Sequence, residues 1–372
     1  MVRVLLIQEN LGDDELCAQL IDSYCEREDV EIWLSSCNVQ HTKIIDALST
    51  VNLIPPPANL FHRKVESEET LSYCDVLQEQ GFHSEASLSV VIRVWQTLYS
   101  LLRPDTVLFL RSPSALLAAK NERFEKILVG SGFSCPPPTF PLGVFFPDLL
   151  NAEQHRRIRV NEDTVLNAVN QSLSQNSLSP ITQLGDIYKI PDKTELHTRK
   201  ELDHFPERTA QSYLSITFKP CASWKWPEND TKKIYVNLEY YEQLPWLIER
   251  LIKSGQNILL QKNNLDNGFI NQLTANNISV VNHPISFIDS DNVCDIAITN
   301  GDFHTSSMLL LSAVPQIILP VSREQQILAR MIAKQGFGLA TDGARKENII
   351  SALNSLATDN SIKETLHAYL AG

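Results

Sequence analysis

"CDIAITNGDFHTSSMLLLSAVPQIILPV", residues 294–321, decides the reading of this chain. An apolar run reaches Thr299, and a polar turn carrying one glycine follows. A mostly apolar segment of helical length leads to Pro315, and a second apolar run ends at Val321. Strand, tight turn, helix, strand is the βαβ unit, which places the two strands parallel with the helix crossing over one face. Upstream, "KIYVNLE" (233–239), "NILLQK" (257–262) and "ISVVNH" (278–283) read as strands, separated by the helical patterns 244–255 and 267–276. Downstream come a helix over 324–336, a short strand over 337–341 and closing helices over 345–358 and 361–372. The second half of the chain is thus a doubly wound α/β domain.

The first half follows the same logic. "VRVLLIQ" (2–8), "VEIWLSS" (30–36), "DTVLFLRS" (105–112) and "KILVGSGF" (126–133) read as buried strands. Helical spacing runs through 14–27, 41–49, 87–104, 114–124 and 162–175. The prolines of 53–61 and the proline-aromatic stretch 135–149 read as extended or irregular, as do 186–191 and 208–220. The polar, aromatic stretch 222–233 lies at or beside a linker. The expected domains are 1–215 and 216–360, with a C-terminal helix over 361–372. In such tandem α/β folds a ligand binds at the carboxyl ends of the strands, where sheet order reverses.

With 372 residues, 43% hydrophobic and 20% charged, the composition is that of a globular protein of two domains. A net charge of −12 without a basic run makes nucleic acid an unexpected partner. No stretch has the length and apolarity of an integral membrane segment, and the short apolar run at 4–7 suits a strand better than a signal peptide. Seven scattered cysteines without a C-x-x-C pair read as buried thiols in a reducing compartment, so a cytoplasmic location is expected. No G-x-G-x-x-G follows the first strand, which disfavours a dinucleotide enzyme.

Residues 294–339 resemble the GT-B glycosyltransferases, specifically the bacterial relatives of the flavonoid-type UDP-glycosyltransferases that act on small molecules. Members run through an Asp-bearing strand, His-Gly-Gly-x-Gly-Thr, a short helix, Gly-Val-Pro-Gln, Leu-Pro, Asp-Gln and a helix ending Gly-x-Gly. Here Asp295 stands at the first Asp, and Asn300-Gly301-Asp302 replaces His-Gly-Gly. His304 stands at the last glycine and Thr305 at the Thr, while Val314-Pro315-Gln316, Leu319-Pro320 and Gly336-Phe337-Gly338 match. Glu324-Gln325 replaces Asp-Gln. "LRPDTVLFL", "GSGFSCPPP" (130–138) and "ELDHFPER" (201–208) also agree with the group.

The resemblance implies two Rossmann-like domains facing a central cleft, and an inverting transfer of a sugar from a nucleotide sugar to a small-molecule or lipid-like hydroxyl. No cofactor or metal is implied. The diphosphate would lie on Asn300, Gly301, His304, Thr305 and Ser306, where the helix dipole favours an anion. Glu324 and Gln325 would hold the donor sugar. Gly12-Asp13 stands where the family has Gly-His, which makes Asp13 the candidate base, provided its environment raises its pKa. The stretches 111–115 and 132–138 would face the acceptor, with Phe133, Phe140, Phe145 and Phe146 lining an apolar pocket. Trp224 or Trp226 could stack on the base, near His283, Pro284 and Ile285. Glycine is scarce, with 13 in the chain, and both Asn300 and Asp13 depart from the family pattern. These features carry the alternative, a catalytically degenerate member that assists a partner glycosyltransferase.

Overall fold

The computed structural model describes residues 1–39, 51–57, 69–205, 208, 212–218, 225–239, 241–262, 273, 278–283, 285–288 and 292–371. The chain divides into two compact units, Met1–Ser215 and Ile216–Gly372.

In unit 1 the strands are β1 (Val2–Gln8), β2 (Val30–Ser36), β3 (Asn52–Leu53), β4 (Thr106–Leu110), β5 (Glu125–Gly130) and β6 (Lys193–Leu196). They form one parallel sheet in the order β3-β2-β1-β4-β5-β6. Its helices are α1 (Asp14–Cys25), α2 (Tyr73–Leu77), α3 (Glu85–Leu102), α4 (Pro113–Ala118) and α5 (Ala152–Gln175). Successive side chains of a strand point to opposite faces, so a sheet covered on both sides needs nearly continuous apolar strands. Val4, Leu6, Leu34, Leu108 and Val129 accordingly meet Cys17, Leu20 and Ile21 of α1. The alternate residues Leu5, Ile7, Val107 and Phe109 are equally buried.

Unit 2 repeats the plan with β7 (Lys233–Asn237), β8 (Asn257–Gln261), β9 (Ile278–Val281), β10 (Ile296–Thr299), β11 (Gln316–Ile318) and β12 (Gly338–Ala340). Their parallel order is β12-β11-β10-β7-β8-β9. The helices are α6 (Leu244–Lys253), α7 (Phe303–Leu311), α8 (Arg323–Lys334), α9 (Lys346–Thr358) and α10 (Ser361–Ala371). One face packs Val236, Leu260 and Ile298 against Leu247, Leu251, Ile349 and Leu356. The other packs Tyr235, Leu259 and Ala297 against Met308 and Leu309 of α7. Sheet order reverses between β1 and β4 in unit 1 and between β7 and β10 in unit 2.

Three details depart from the sequence reading. The long helix starts at Ala152, ten residues before 162, because Asn151 and Gln154 form a capping box ahead of a polar first half with little apolar periodicity. Residues 184–189 form a 3-10 turn where an extended segment was expected, with Asp186 accepting the Thr182 and Gln183 amides. The edge strand β6 is only four residues long and carries one buried side chain, too little for a strand pattern to be read. The helical expectations at 41–49 and 267–276 lie outside the described residues, apart from Leu273.

Candidate functional site

In unit 2 the turn between β10 and α7 sits at the reversal of the sheet. Gly301 has φ +82°, and a Cβ there would fall 2.5 Å from Ile318 Cγ2. A side chain is thus excluded both by backbone conformation and by space. The same Cβ would lie 3.8 Å from the Gln325 carbonyl oxygen, so the start of α8 borders the turn.

Asn300, expected to donate to a ligand, is instead a clasp. Its Oδ1 accepts from the Glu239 amide at 2.8 Å and its Nδ2 donates to the Leu319 carbonyl at 2.9 Å. The side chain therefore joins the carboxyl ends of β7, β10 and β11, and it is buried. Asn300→Ala is expected to lower stability by about 1–3 kcal/mol, because it leaves both backbone groups without this partner. Chemical denaturation checks this, and an unchanged midpoint would show that the clasp holds nothing.

Asp302 caps α7. Its Oδ1 accepts from the Thr305 amide at 2.8 Å, and its backbone oxygen accepts from the Ser306 amide at 3.0 Å. The side chain of an acidic N-cap thereby occupies one of the amides expected to meet a diphosphate. The Thr305 hydroxyl accepts from Asn237 Nδ2 at 3.4 Å. Ser306 is fully buried. His304 lies against Phe218, with ring centroids 4.7 Å apart. At the start of α8, Gln325 Oε1 accepts from the Val321 and Ser322 amides at 2.9 and 3.1 Å, closing a capping box with Ser322. That carbonyl is engaged in capping rather than offered to a sugar, while Glu324 beside it is partly exposed.

Lys262 was missed. It follows β8 directly, and its Nζ donates to the Leu238 and Glu239 carbonyls at 2.9 and 2.7 Å. Lys262, Glu239 and Asn300 thus form a hydrogen-bonded rim across the ends of four neighbouring strands. The sequence signal was its place immediately after a strand on the ligand side of a parallel sheet.

In unit 1, Asp13 is locked in an ion pair. Arg111 Nε and Ser134 Oγ both donate to Asp13 Oδ2 at 2.9 Å. The Arg111 and Asp13 side chains are 9% and 4% exposed. Gly12 makes room for the guanidinium, since a Cβ there would lie 2.6 Å from Arg111 Cζ. Burial alone would raise the Asp13 carboxyl, but the Arg111 charge, aided by hydrogen bonds from Arg111 and Ser134, holds it below its ordinary value. The expected base is therefore corrected: a buried carboxylate held low by a cation is poorly suited to take a hydroxyl proton.

The aromatic expectations divide as well. Phe133 and Phe145 are buried and stacked on each other at 6.0 Å, with Phe205 and Tyr73 alongside. They are core rather than pocket lining, and Phe140 is exposed. Trp226 is buried, with its Nε1 donating to the Asn292 carbonyl at 2.9 Å, so it ties its segment to the one before β10; Ile285 is buried as well. Trp224 and Pro284 lie outside the described residues, and His283 is exposed. No described helix is long and apolar enough to cross a membrane.

No protein-family model matches the chain, and no curated protein matches it. Solved structures do. The calicheamicin glycosyltransferase CalG4 is 14% identical, with a TM-score of 0.71 over 100% of this chain and 94% of its own. The kitacinnamycin glycosyltransferase is 16% identical, with a TM-score of 0.67 over 99% of this chain and 94% of its own. The Streptomyces sp. SF2575 glycosyltransferase SsfS6, complexed with thymidine diphosphate, is 15% identical, with a TM-score of 0.63 over 100% and 95%. These neighbours are natural-product glycosyltransferases of the GT-B type, and two six-stranded parallel sheets with flanking helices give this chain the same two-domain α/β GT-B fold.

Proposed function

We propose that the protein transfers a sugar, with inversion, from a nucleoside-diphosphate donor to the hydroxyl of a small-molecule or lipid-like acceptor, without a metal. The observation that carries this reading is the β10–α7 turn. A glycine fixed at positive φ brings the backbone of a helix N-terminus to the reversal point of a parallel sheet, which is where a diphosphate gains most from backbone amides and the helix dipole. The fold match supports it along the whole chain. Solved neighbours include one complexed with thymidine diphosphate and a spinosyn rhamnosyltransferase complexed with its aglycone. The cytoplasm suits the described cysteines, all of which are free thiols. None of the matched structures named above is an auxiliary partner of another transferase.

Titration calorimetry with thymidine and uridine mono- and diphosphates, each with and without a chelator, tests the donor site. A diphosphate is expected to bind at least tenfold more tightly than its monophosphate, about 1.4 kcal/mol or more, independently of the chelator. Failure of every nucleotide to bind at millimolar concentration would remove the reading.

A further inference from the structure

Carbonyl oxygens gather where the strands of a parallel sheet end, and, being acceptors only, they repel the oxygens of a phosphate. At the reversal of the second sheet several of them are covered. Asn300 Nδ2 takes the Leu319 oxygen at 2.9 Å. Lys262 Nζ takes the oxygens of Leu238 and Glu239, the two residues that follow β7, at 2.9 and 2.7 Å. Lys262 stands at the end of β8, the neighbour of β7, and its amide donates to the Val281 carbonyl of β9 at 3.0 Å. From that fixed backbone its side chain reaches across to the β7 end.

The β7 end is tied in turn to the β10–α7 turn. The Glu239 amide donates to Asn300 Oδ1 at 2.8 Å, and Asn237 Nδ2 donates to the Thr305 hydroxyl at 3.4 Å. The strand β7 lies between β8 and β10. The Lys262 ammonium therefore sits about one strand spacing, about 5 Å, from the strand end where α7 begins.

Both partners of this ammonium are neutral carbonyls, and they use two of its three protons. Lys262 is partly buried. Burial pushes its ammonium below the ordinary lysine range, and the Glu239 charge pulls it only part of the way back. A cation held in this way gains from an anion brought beside it. Asn300, for its part, cannot carry the charge of the histidine that stands there in the family pattern.

We propose that Lys262 supplies the positive charge of the donor site. It keeps both carbonyl bonds and donates its third N–H to one phosphate of the nucleoside diphosphate, while the other phosphate lies at the N-terminus of α7. This inference rests on the transferase reading above and involves residues of unit 2 alone.

The test titrates thymidine and uridine diphosphate by calorimetry into the native protein, Lys262→Gln and Lys262→Arg, in about 0.05 M and about 0.5 M sodium chloride. Glutamine keeps an N–H donor for a strand-end carbonyl but removes the charge, whereas arginine keeps the charge. At the lower salt Lys262→Gln is expected to bind about 10–100-fold more weakly than the native protein, with Lys262→Arg closer to native. The gap should narrow at the higher salt, where charges are screened. A gap that is the same at both salts would mean a structural role and overturn the proposal, as would equal affinities. If Lys262→Gln fails to fold, the native protein carries the test. Acetylation of Lys262 by acetic anhydride, read by mass spectrometry, should fall when the diphosphate saturates the protein, while acetylation of the exposed Lys253 stays unchanged. Labelling of Lys262 that a bound diphosphate leaves unchanged overturns the proposal and leaves the transferase reading standing. A native protein that binds neither diphosphate at millimolar concentration overturns both.

Discussion

Arg111→Met is expected to destabilise the folded chain by about 3–5 kcal/mol at neutral pH, and to reverse the way Asp13 responds to acid. Methionine keeps much of the length and apolar stem of arginine, so the change chiefly removes the charge. What remains is a carboxylate, 4% exposed, with Ser134 still donating to it but no cation to balance it. In the native protein the folded-state pKa of Asp13 is depressed. Its contribution to stability is present above the unfolded pKa and is lost as the pH falls through the folded one. In the variant burial dominates and the folded pKa lies above the unfolded one. The contribution is then present below the unfolded pKa and lost as the pH rises through the folded one. The gap between native and variant should therefore be wider at about pH 7 than at about pH 4, as read from urea denaturation at both. A gap that does not change with pH would mean that Asp13 is not charged in the fold. Adding Asp13→Asn to the variant should recover part of the loss, because it removes the stranded charge.

The fold was legible because parallel strands buried on both faces leave unmistakable apolar runs. "VRVLLIQ", "DTVLFLRS" and "CDIAITN" each coincide with a strand to within a residue or two. What escaped was held by few or polar contacts. The β6 strand is a short edge, and the first half of α5 is set by a capping box rather than by an apolar stripe. The turn was legible in place, but not what its side chains do. Asn300, Gly301, Asp302 and Thr305 do gather at the reversal of the second sheet. A motif tells which residues stand there, but not whether a side-chain amide points at a ligand or ties two strands together. Asn300 does the second. Asp13 illustrates the same limit. Nothing in "GDDE" announces a partner about a hundred residues away, yet Arg111 decides its charge and its chemistry. Glu9 is the converse. Alone in the sequence it is an acid after a strand, and only the structure shows its carboxylate held by Trp95 and Ser114.

Replacing Asp302 is expected to tighten nucleoside diphosphate binding, with Asp302→Gly exceeding Asp302→Asn. The aspartate is the N-cap of α7, and its carboxylate holds the Thr305 amide at 2.8 Å. A diphosphate at this helix N-terminus meets a like charge and finds that amide already occupied. Asparagine caps a helix about as well as aspartate, so Asp302→Asn removes the charge while keeping the turn. Glycine goes further, freeing the Thr305 amide and allowing the closer approach that a missing Cβ permits, at a cost in helix stability of only a few tenths of a kcal/mol. One charge-assisted hydrogen bond gained is worth about 1.5–3 kcal/mol, so the glycine variant should bind about 10–100-fold more tightly than the native protein. The measurement is a calorimetric titration of all three proteins with thymidine diphosphate, with and without magnesium. The proposed metal-free transfer expects magnesium to change none of the three affinities. A native affinity that needs magnesium, and is lost in both variants, would instead make Asp302 a cation ligand. Equal affinities throughout would place the diphosphate away from α7, and the donor site would then have to be sought elsewhere on the chain.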